Sequence, residues 1–511
     1  SGNIYNTAVG SQAGKAVTTG TNNTLIGGLA GDALTDADNN VALGRGSLGA
    51  DTLGSRTVAV GFGALSSQNF TTATDTYNTA VGFNAGVLVS TGVRNSIIGG
   101  LAGDALTVGG NNVTMGYASL SLDTKGSGSV AIGAGALNVQ NFTTATTTHN
   151  TAVGLDAGKA VTTGIENTLI GSLAGDALTD ADFNIAIGTD ALATDTLGSR
   201  SIAIGRRTLF TQNFTTATNT FNTGVGFEAG LSVTTGVQNT MIGGIAGEFA
   251  TTADGSTFVG HKAGRGITGT RLTGNENTAI GSGAGLVLQG TANRNTIVGT
   301  EAASSMTTGY ENTCIGFVAG DALTTGNNNI IIGQSVDTDS VSQANAIVIG
   351  AGIVGAGNDF SFGKASNVVS NDFDTDANWS RSSDERLKKN ITNQTLGLDF
   401  INDLRTVKYK WKANGELDAS DSQLAHLRET DDDGNIINYM NTDATMHNFI
   451  AQEVKAALDT AGVSDFGGWK EDHYGVQQVS REMFVIPLVK AVQELSTKLD
   501  AALARIATLE G

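Results

Sequence analysis

The residues best suited to chemistry lie late in the chain, in RSSDERLKKN at 381–390. Two adjacent serines, Ser382 and Ser383, stand just ahead of Lys388 and Lys389. A serine hydroxyl is a weak nucleophile until a neighbouring base takes its proton, and a lysine can be that base only when neutral. Its ordinary value near ~10.4 must then fall by several units, through burial or nearby positive charge. Arg386 and Lys389 could supply that charge. Five residues along a continuous α-helix turn a side chain through roughly 140°, so Ser383 and Lys388 would not share a helical face. Either a turn intervenes or the lysine comes from a second copy of the chain. Taken alone, such a pair is an ordinary exposed charged turn. No other triad, metal cluster, phosphate-binding loop or carboxylate pair stands out, and the chain has only five histidines.

What must position these residues is a chain of two characters. Among 511 residues, 70 are Gly and one is Pro, 15% are charged and 6% aromatic, far from an average globular mixture. Most Gly falls before residue 350, whereas Pro487 and the three Trp (Trp379, Trp411, Trp469) lie in the last third. A formal charge of -19 argues against nucleic acid as a partner, since phosphate binding needs a basic stripe. A single cysteine, Cys314, excludes an intramolecular disulfide framework and reads as a small buried hydrophobe. No stretch approaches the roughly 20 apolar residues of a membrane span, and SGNIYN is no signal peptide. Ser1, in place of Met, leaves room for a leader or anchoring domain upstream.

A pentad closing on Gly recurs through the first region: NTAVG (6–10), NTLIG (23–27), NVALG (40–44), TVAVG (57–61), and onward to AIVIG (346–350). Most steps are 17 residues, with 21 after every fourth pentad up to residue 226, a higher-order unit of 72 seen three times. Apolar and β-branched residues ended by Gly predict strands of about five residues with glycine turns. Helical stacking is excluded, because each interior Gly costs roughly 1 kcal/mol relative to Ala. Such units describe a parallel β-solenoid of about 20 coils over 1–350, on the order of 100 Å long at ~4.8 Å per coil.

Counting back from each Gly, the first position is Val, Ile, Leu or Met and the third is Thr, Ser, Val or Ile, both on one side of the strand. The position between them faces the other way and is mostly Ala, Leu, Ile, Met or Phe. Both faces are apolar, which signals burial on both sides. A lone thin solenoid buries only its inner face, so the outer one needs a partner, and another copy of the same chain is the economical one. These repeats resemble the β-roll heads of trimeric autotransporter adhesins and similar repeats of phage tail fibres, with a longer spacing of 17. The resemblance implies a trimeric rod for attachment.

The four-residue insertion falls in QNFTTAT, at 68–74, 140–146 and 212–218. Each copy brings Phe70, Phe142 or Phe214 and then a second ring, Tyr77, His149 or Phe221. Polar loops with aromatics suit contact with a receptor, a sugar among the candidates, and Phe70, Phe142 and Phe214 are the candidate contacts, though packing inward is the stronger expectation for them. Packing back onto the rod or a neighbouring chain is the competing role. The Asp-rich turns at 32–40 and 176–184 place Asp32, Asp36 and Asp38 near one another, but lack the glycine and glutamate of a calcium loop. They read as solvated capping carboxylates, and no metal is expected.

Beyond 351 the pentads stop, and 351–382 reads as a linker. At the far end Leu488, Val492, Leu495, Leu499, Ala502, Ile506 and Leu509 are spaced 4, 3, 4, 3, 4, 3. That is the a/d seam of a coiled coil over 488–509. Pro487 falls at its start, where a first-turn proline is tolerated. SDERLKKNI (383–391), FIAQEV (449–454) and IPLVKAVQEL (486–495) together resemble the C-terminal intramolecular chaperone of phage endosialidases, tailspikes and neck appendages, a self-cleaving serine-lysine peptidase family. Asn448 before FIAQEV is a departure, since the pattern leads one to expect Gly. The resemblance implies a small α+β domain at 383–511. It also implies that Ser383 attacks the carbonyl of Ser382 with Lys388 as base, while Asp384, Arg386 and Lys389 support the motif. Whether Lys388 acts within its own chain stays open.

Together these readings describe a homotrimeric tail fibre or appendage of a virion. It would be made in the host cytoplasm, bind a host receptor and other tail proteins, and use no cofactor. Its C-terminal domain would align three low-complexity chains that otherwise pair out of register, then cut itself away. The alternatives are a bacterial trimeric surface adhesin, expected to end in a membrane-anchoring barrel segment and not in ATLEG, and a glycan depolymerase, for which no active site is visible.

Overall fold

The computed structural model describes residues 4–365, 367–372, 380–381, 383–428, 430, 434–436 and 442–510. It divides into two compact units, Ser1–Ser382 and Ser383–Gly511. The first is a β-solenoid. Twenty-one strands, most of three residues, pair in parallel down one continuous sheet, from Thr7–Val9 to Asp359–Lys364. Partners are usually 17 residues apart, as in Thr7 with Thr24 and Thr24 with Val41.

The strands are shorter than the five-residue pentads because both pentad ends have other work. Its first residue is most often Asn, buried, whose side chain stitches successive coils. Asn95 Nδ2 donates to the carbonyl of Gly109 at 3.0 Å, and Asn95 Oδ1 accepts the N–H of Asn112 at 3.0 Å. Those bonds satisfy amide groups that would otherwise be costly to bury. The closing Gly lies against the Gly of the next coil: a Cβ on Gly133, where φ is 132°, would come 2.2 Å from the carbonyl oxygen of Gly154. Between these ends the middle strand residue faces inward, so Leu25, Ala42, Ala59, Ile97, Leu169 and Phe258 are buried. The residue before Gly faces outward, and Leu43, Ile98, Met115, Ile170, Ile204 and Ile242 remain exposed in the single chain. Cys314 stands in the inner column between Ile297 and Ile331, and burial pushes its thiol up to about 12.

Within the stretch 351–382, expected as a linker, the strand Asp359–Lys364 continues this stack. DFSFG (359–363) is one more pentad, hidden from the period because its Gly follows the last by 13 residues and not 17. Without it the Ile347–Ala351 strand would present an unpaired edge. Asn367–Asp372 then folds back antiparallel, and Ser380–Arg381 pairs with it.

Where the 72-residue unit inserts four residues, Thr57, Ser129 and Ser201 stand in the Asn position and a buried polar network joins the Asn stitch. Gln68 Nε2 donates to Asp51 Oδ2 at 2.6 Å and to Thr57 Oγ1 at 3.1 Å, while Asn78 Nδ2 donates to Gln68 Oε1 at 2.8 Å. Gln140 with Asp123, and Gln212 with Asp195, repeat the arrangement.

Burial raises the carboxyl pKa of Asp51, Asp104, Asp176 and Asp337 above the usual 3.8. A raised folded value means that the folded state keeps a proton the unfolded chain releases. The resulting stability is fully present below about 3.8 and is lost as pH rises through the folded values. Acidification from neutrality towards pH 4 is therefore expected to hold or raise the melting temperature of the solenoid. In the second unit the carboxyls of exposed Asp384 and half-buried Glu453 and Glu494 are held low by Arg386, Arg405 and the N–H of Leu398. Their small, solvent-screened contributions are lost as pH falls through the depressed values. Thermal unfolding of the full chain, followed separately by strand and helix circular dichroism, measures both; a solenoid transition that falls steadily from pH 7 to 4 contradicts the expectation.

The second unit is small and mixed. Among its described residues are helices α1 (Leu398–Asn402), α2 (Ala451–Thr460) and α3 (Val485–Glu510). Val407–Tyr409 pairs antiparallel with Met446–Asn448, and Trp469–Glu471 with Gln477–Val479. Asn448 ends its strand, and its side chain accepts the N–H of Phe449 at 2.9 Å. The core is Leu396, Phe400, Val454, Ala457, Leu458 and Phe484, with Phe400 stacked on Phe484. Helix α3 buries Pro487 and Ala491, whereas Leu488, Val492, Leu495, Leu499, Ile506 and Leu509 stay exposed.

Candidate functional site

The second unit opens on the serine and lysine. Asp384 has extended backbone (φ -62°, ψ 134°) and caps a single 3-10 turn at Glu385–Leu387, its side chain accepting the N–H of Arg386 at 2.8 Å. Two bonds close the turn: Leu387 N–H to the Asp384 carbonyl at 3.1 Å, and Lys388 N–H to the Glu385 carbonyl at 2.9 Å. Lys388 leaves it with extended backbone (φ -112°, ψ 149°). The chain thus runs extended, tight turn, extended, and Lys388 Nζ arrives 2.8 Å from Ser383 Oγ, donating to it. The roughly 140° offset of a continuous α-helix does not arise. Serine and lysine meet within one chain, at a distance across which a proton can pass directly.

The pair is open to solvent, as are the residues through Ile391. Arg386 makes two-pronged contact with Asp384, Nε to Oδ1 at 3.0 Å and Nη2 to Oδ2 at 2.6 Å, and its guanidinium holds the Asp384 carboxyl below the usual range. Of the two charges considered for lowering the lysine, Arg386 is therefore neutralised by a carboxylate at its side. This ion pair was missed in the sequence, although an acid at an N-cap position two residues before an arginine is a local signal for it. Ser382 lies outside the described residues.

Phe70, Phe142 and Phe214, candidate receptor contacts in the sequence, are buried instead, at 6%, 6% and 7% exposed, the packing-back alternative. The N–H of Phe70 bonds to Asp51 Oδ1 at 3.0 Å, so this ring is drawn inward where the insertion meets the buried carboxylate. The second rings are the exposed ones: Tyr77 at 54%, Phe221 at 53%, and His149. Arg56 lies over the Tyr77 ring, 5.8 Å from its centre. In the Asp-rich turns, Asp36 accepts the hydroxyl of Thr19, and Asp38 accepts the N–H and hydroxyl of Thr21 at 2.6 and 2.9 Å. These carboxylates cap the preceding coil.

Comparison with protein families matches residues 383–463 to the family described as chaperone of endosialidase. The match begins at Ser383, contains Lys388 and α2, and ends before α3. No curated protein and no solved structure matches the chain.

Proposed function

We propose that this chain is the subunit of a homotrimeric, tail-fibre-like attachment protein whose C-terminal unit guides assembly and then severs itself between Ser382 and Ser383. One observation carries the reading: a serine and a lysine 2.8 Å apart at the first residues of a chaperone-of-endosialidase segment that follows a long β-solenoid.

The chemistry is a single turnover. Neutral Lys388 takes the proton of the Ser383 hydroxyl as Oγ bonds to the carbonyl carbon of Ser382. The tetrahedral adduct collapses with loss of the C–N bond, and the departing nitrogen of Ser383 receives the proton from Lys388. Water then hydrolyses the ester, leaving a carboxylate on Ser382 and a free amine and hydroxyl on Ser383. With the templating unit gone, an unfolded solenoid cannot be re-aligned, and the assembled one is trapped kinetically.

Trimerisation is supported by what each unit leaves exposed: the outward strand residues of the solenoid and the seam along α3. Apolar stripes this long are covered in a finished assembly. Tyr77, His149 and Phe221, and no longer Phe70, Phe142 and Phe214, are the rings available to a receptor on a host surface, and the mature protein would stand on a virion tail. Its charge of -19 makes nucleic acid an unsuitable partner.

The assembly claim is tested by mass in solution. An uncut Ser383→Ala chain is expected at three times the subunit mass. Adding Leu495→Asp and Leu499→Asp, which put charges into the seam, is expected to leave it monomeric or aggregated. A monomeric Ser383→Ala chain sinks the claim.

A further inference from the structure

We infer that Asp384 and Arg386 act together as a clamp that positions Lys388 on the Ser383 hydroxyl, as positioning residues of the cleavage reaction and not as sources of charge for it. The inference rests on the self-cleavage reading and names what makes its geometry possible.

A lone 3-10 turn of three exposed residues has little stability of its own, because few hydrogen bonds offset the cost of fixing its backbone. Yet this turn alone sets where Lys388 emerges. Asp384 holds it twice. Its carboxylate accepts the Arg386 N–H at 2.8 Å, which fixes the first peptide of the turn. It also receives the guanidinium, with Nε at 3.0 Å from Oδ1 and Nη2 at 2.6 Å from Oδ2, which folds the Arg386 side chain back over the same peptide. The planar fork of arginine matches both carboxylate oxygens at once, so the pair has one preferred geometry. Leu387 and Lys388 then bond to the carbonyls of Asp384 and Glu385, and Nζ reaches Oγ.

Because the Asp384 carboxylate is already engaged by the Arg386 guanidinium, what the pair gives the lysine is position. A displacement of the base by about 1 Å costs on the order of 100-fold in rate.

The test follows the appearance of cut full-length chain with time, in cell-free synthesis, across a range of pH. Asp384→Ala is expected to cut about 10- to 100-fold more slowly than wild type. Asp384→Asn keeps a cap acceptor without the charged fork, and about a tenfold loss is expected, partway back from Asp384→Ala. Arg386→Lys keeps the charge without the fork, and about a tenfold loss is expected. The double variant Asp384→Ala/Arg386→Ala should be no slower than the slower single one, since the two residues act as one unit. It should also keep the wild-type midpoint of the pH–rate profile with a lowered plateau. Wild-type rates in the single variants, additive losses, or full rescue by raising pH would each overturn the clamp. Should wild type itself remain uncut, the cleavage reading falls and the clamp with it; should wild type cut and all variants match it, only the clamp falls. Any single variant that does not reach the mass of the assembled Ser383→Ala chain is replaced by the other two, which decide the same question.

Discussion

Full-length Ser383→Ala is expected to persist as one intact chain of 511 residues, while wild type separates into 1–382 and 383–511 once assembled. The substitution removes only a hydroxyl from an exposed residue, so assembly should be unaffected and the whole effect should fall on cleavage. Lys388→Arg sharpens the result. Arginine keeps the positive charge but is never neutral near pH 7, so a structural role for the cation would survive and a general base would not. A loss of about 100-fold or more is expected. Because Nζ lies 2.8 Å from Oγ of its own chain, two defective chains should not rescue each other. Differently tagged Ser383→Ala and Lys388→Ala chains, synthesised together, should both stay uncut. Cleavage of the Lys388→Ala chain in that mixture would show that lysine is supplied by a neighbour, and mass analysis of the tagged products reads the outcome.

The second large effect belongs to the solenoid. Gly133→Ala is expected to destabilise the stack by about 3 kcal/mol or more, a sum of backbone strain at φ 132° and an overlap that nothing can relieve. The new Cβ would lie 2.2 Å from the carbonyl oxygen and 2.6 Å from the carbonyl carbon of Gly154, both main-chain atoms of the next coil. In a stack where each coil touches only its neighbours, such damage stays local, so limited proteolysis should open the chain between about 116 and 154. Gly269 is the control, since a Cβ there meets nothing within 4 Å. Gly269→Ala is expected to melt within about 1 kcal/mol of wild type, with any gain coming from a stiffer unfolded chain. Equal melting and equal protease resistance in the two variants would contradict the glycine account.

These cases mark what the chain reveals in one dimension. The solenoid was legible because its causes are local and repeated: an inward residue between two outward ones, and a closing Gly where no side chain fits. Helix α3 was legible for the same reason, through a seam from Leu488 to Leu509 that needs only a count of residues. The likeness of 383–391 to a cleaving chaperone also lay in contiguous residues, and the family match starting at Ser383 agrees with it.

What the sequence left open depended on groups brought together by turns and by stacked coils. The fate of Phe70 was settled by Asp51, 19 residues earlier, whose buried carboxylate draws the insertion inward and leaves Tyr77 outside. The extra pentad at 359–363 was masked by a shortened coil, visible only once its strand paired with Ile347–Ala351. For Ser383 and Lys388, spacing alone excluded a shared face of a continuous helix and left open an intervening turn or a second copy of the chain. The tertiary structure brought them together because a capped 3-10 turn between two extended residues sends the lysine back towards the serine. Residue order therefore determined which groups were available and which periodic elements they lay in; backbone direction at a few turns, which no periodicity encodes, decided which of them meet.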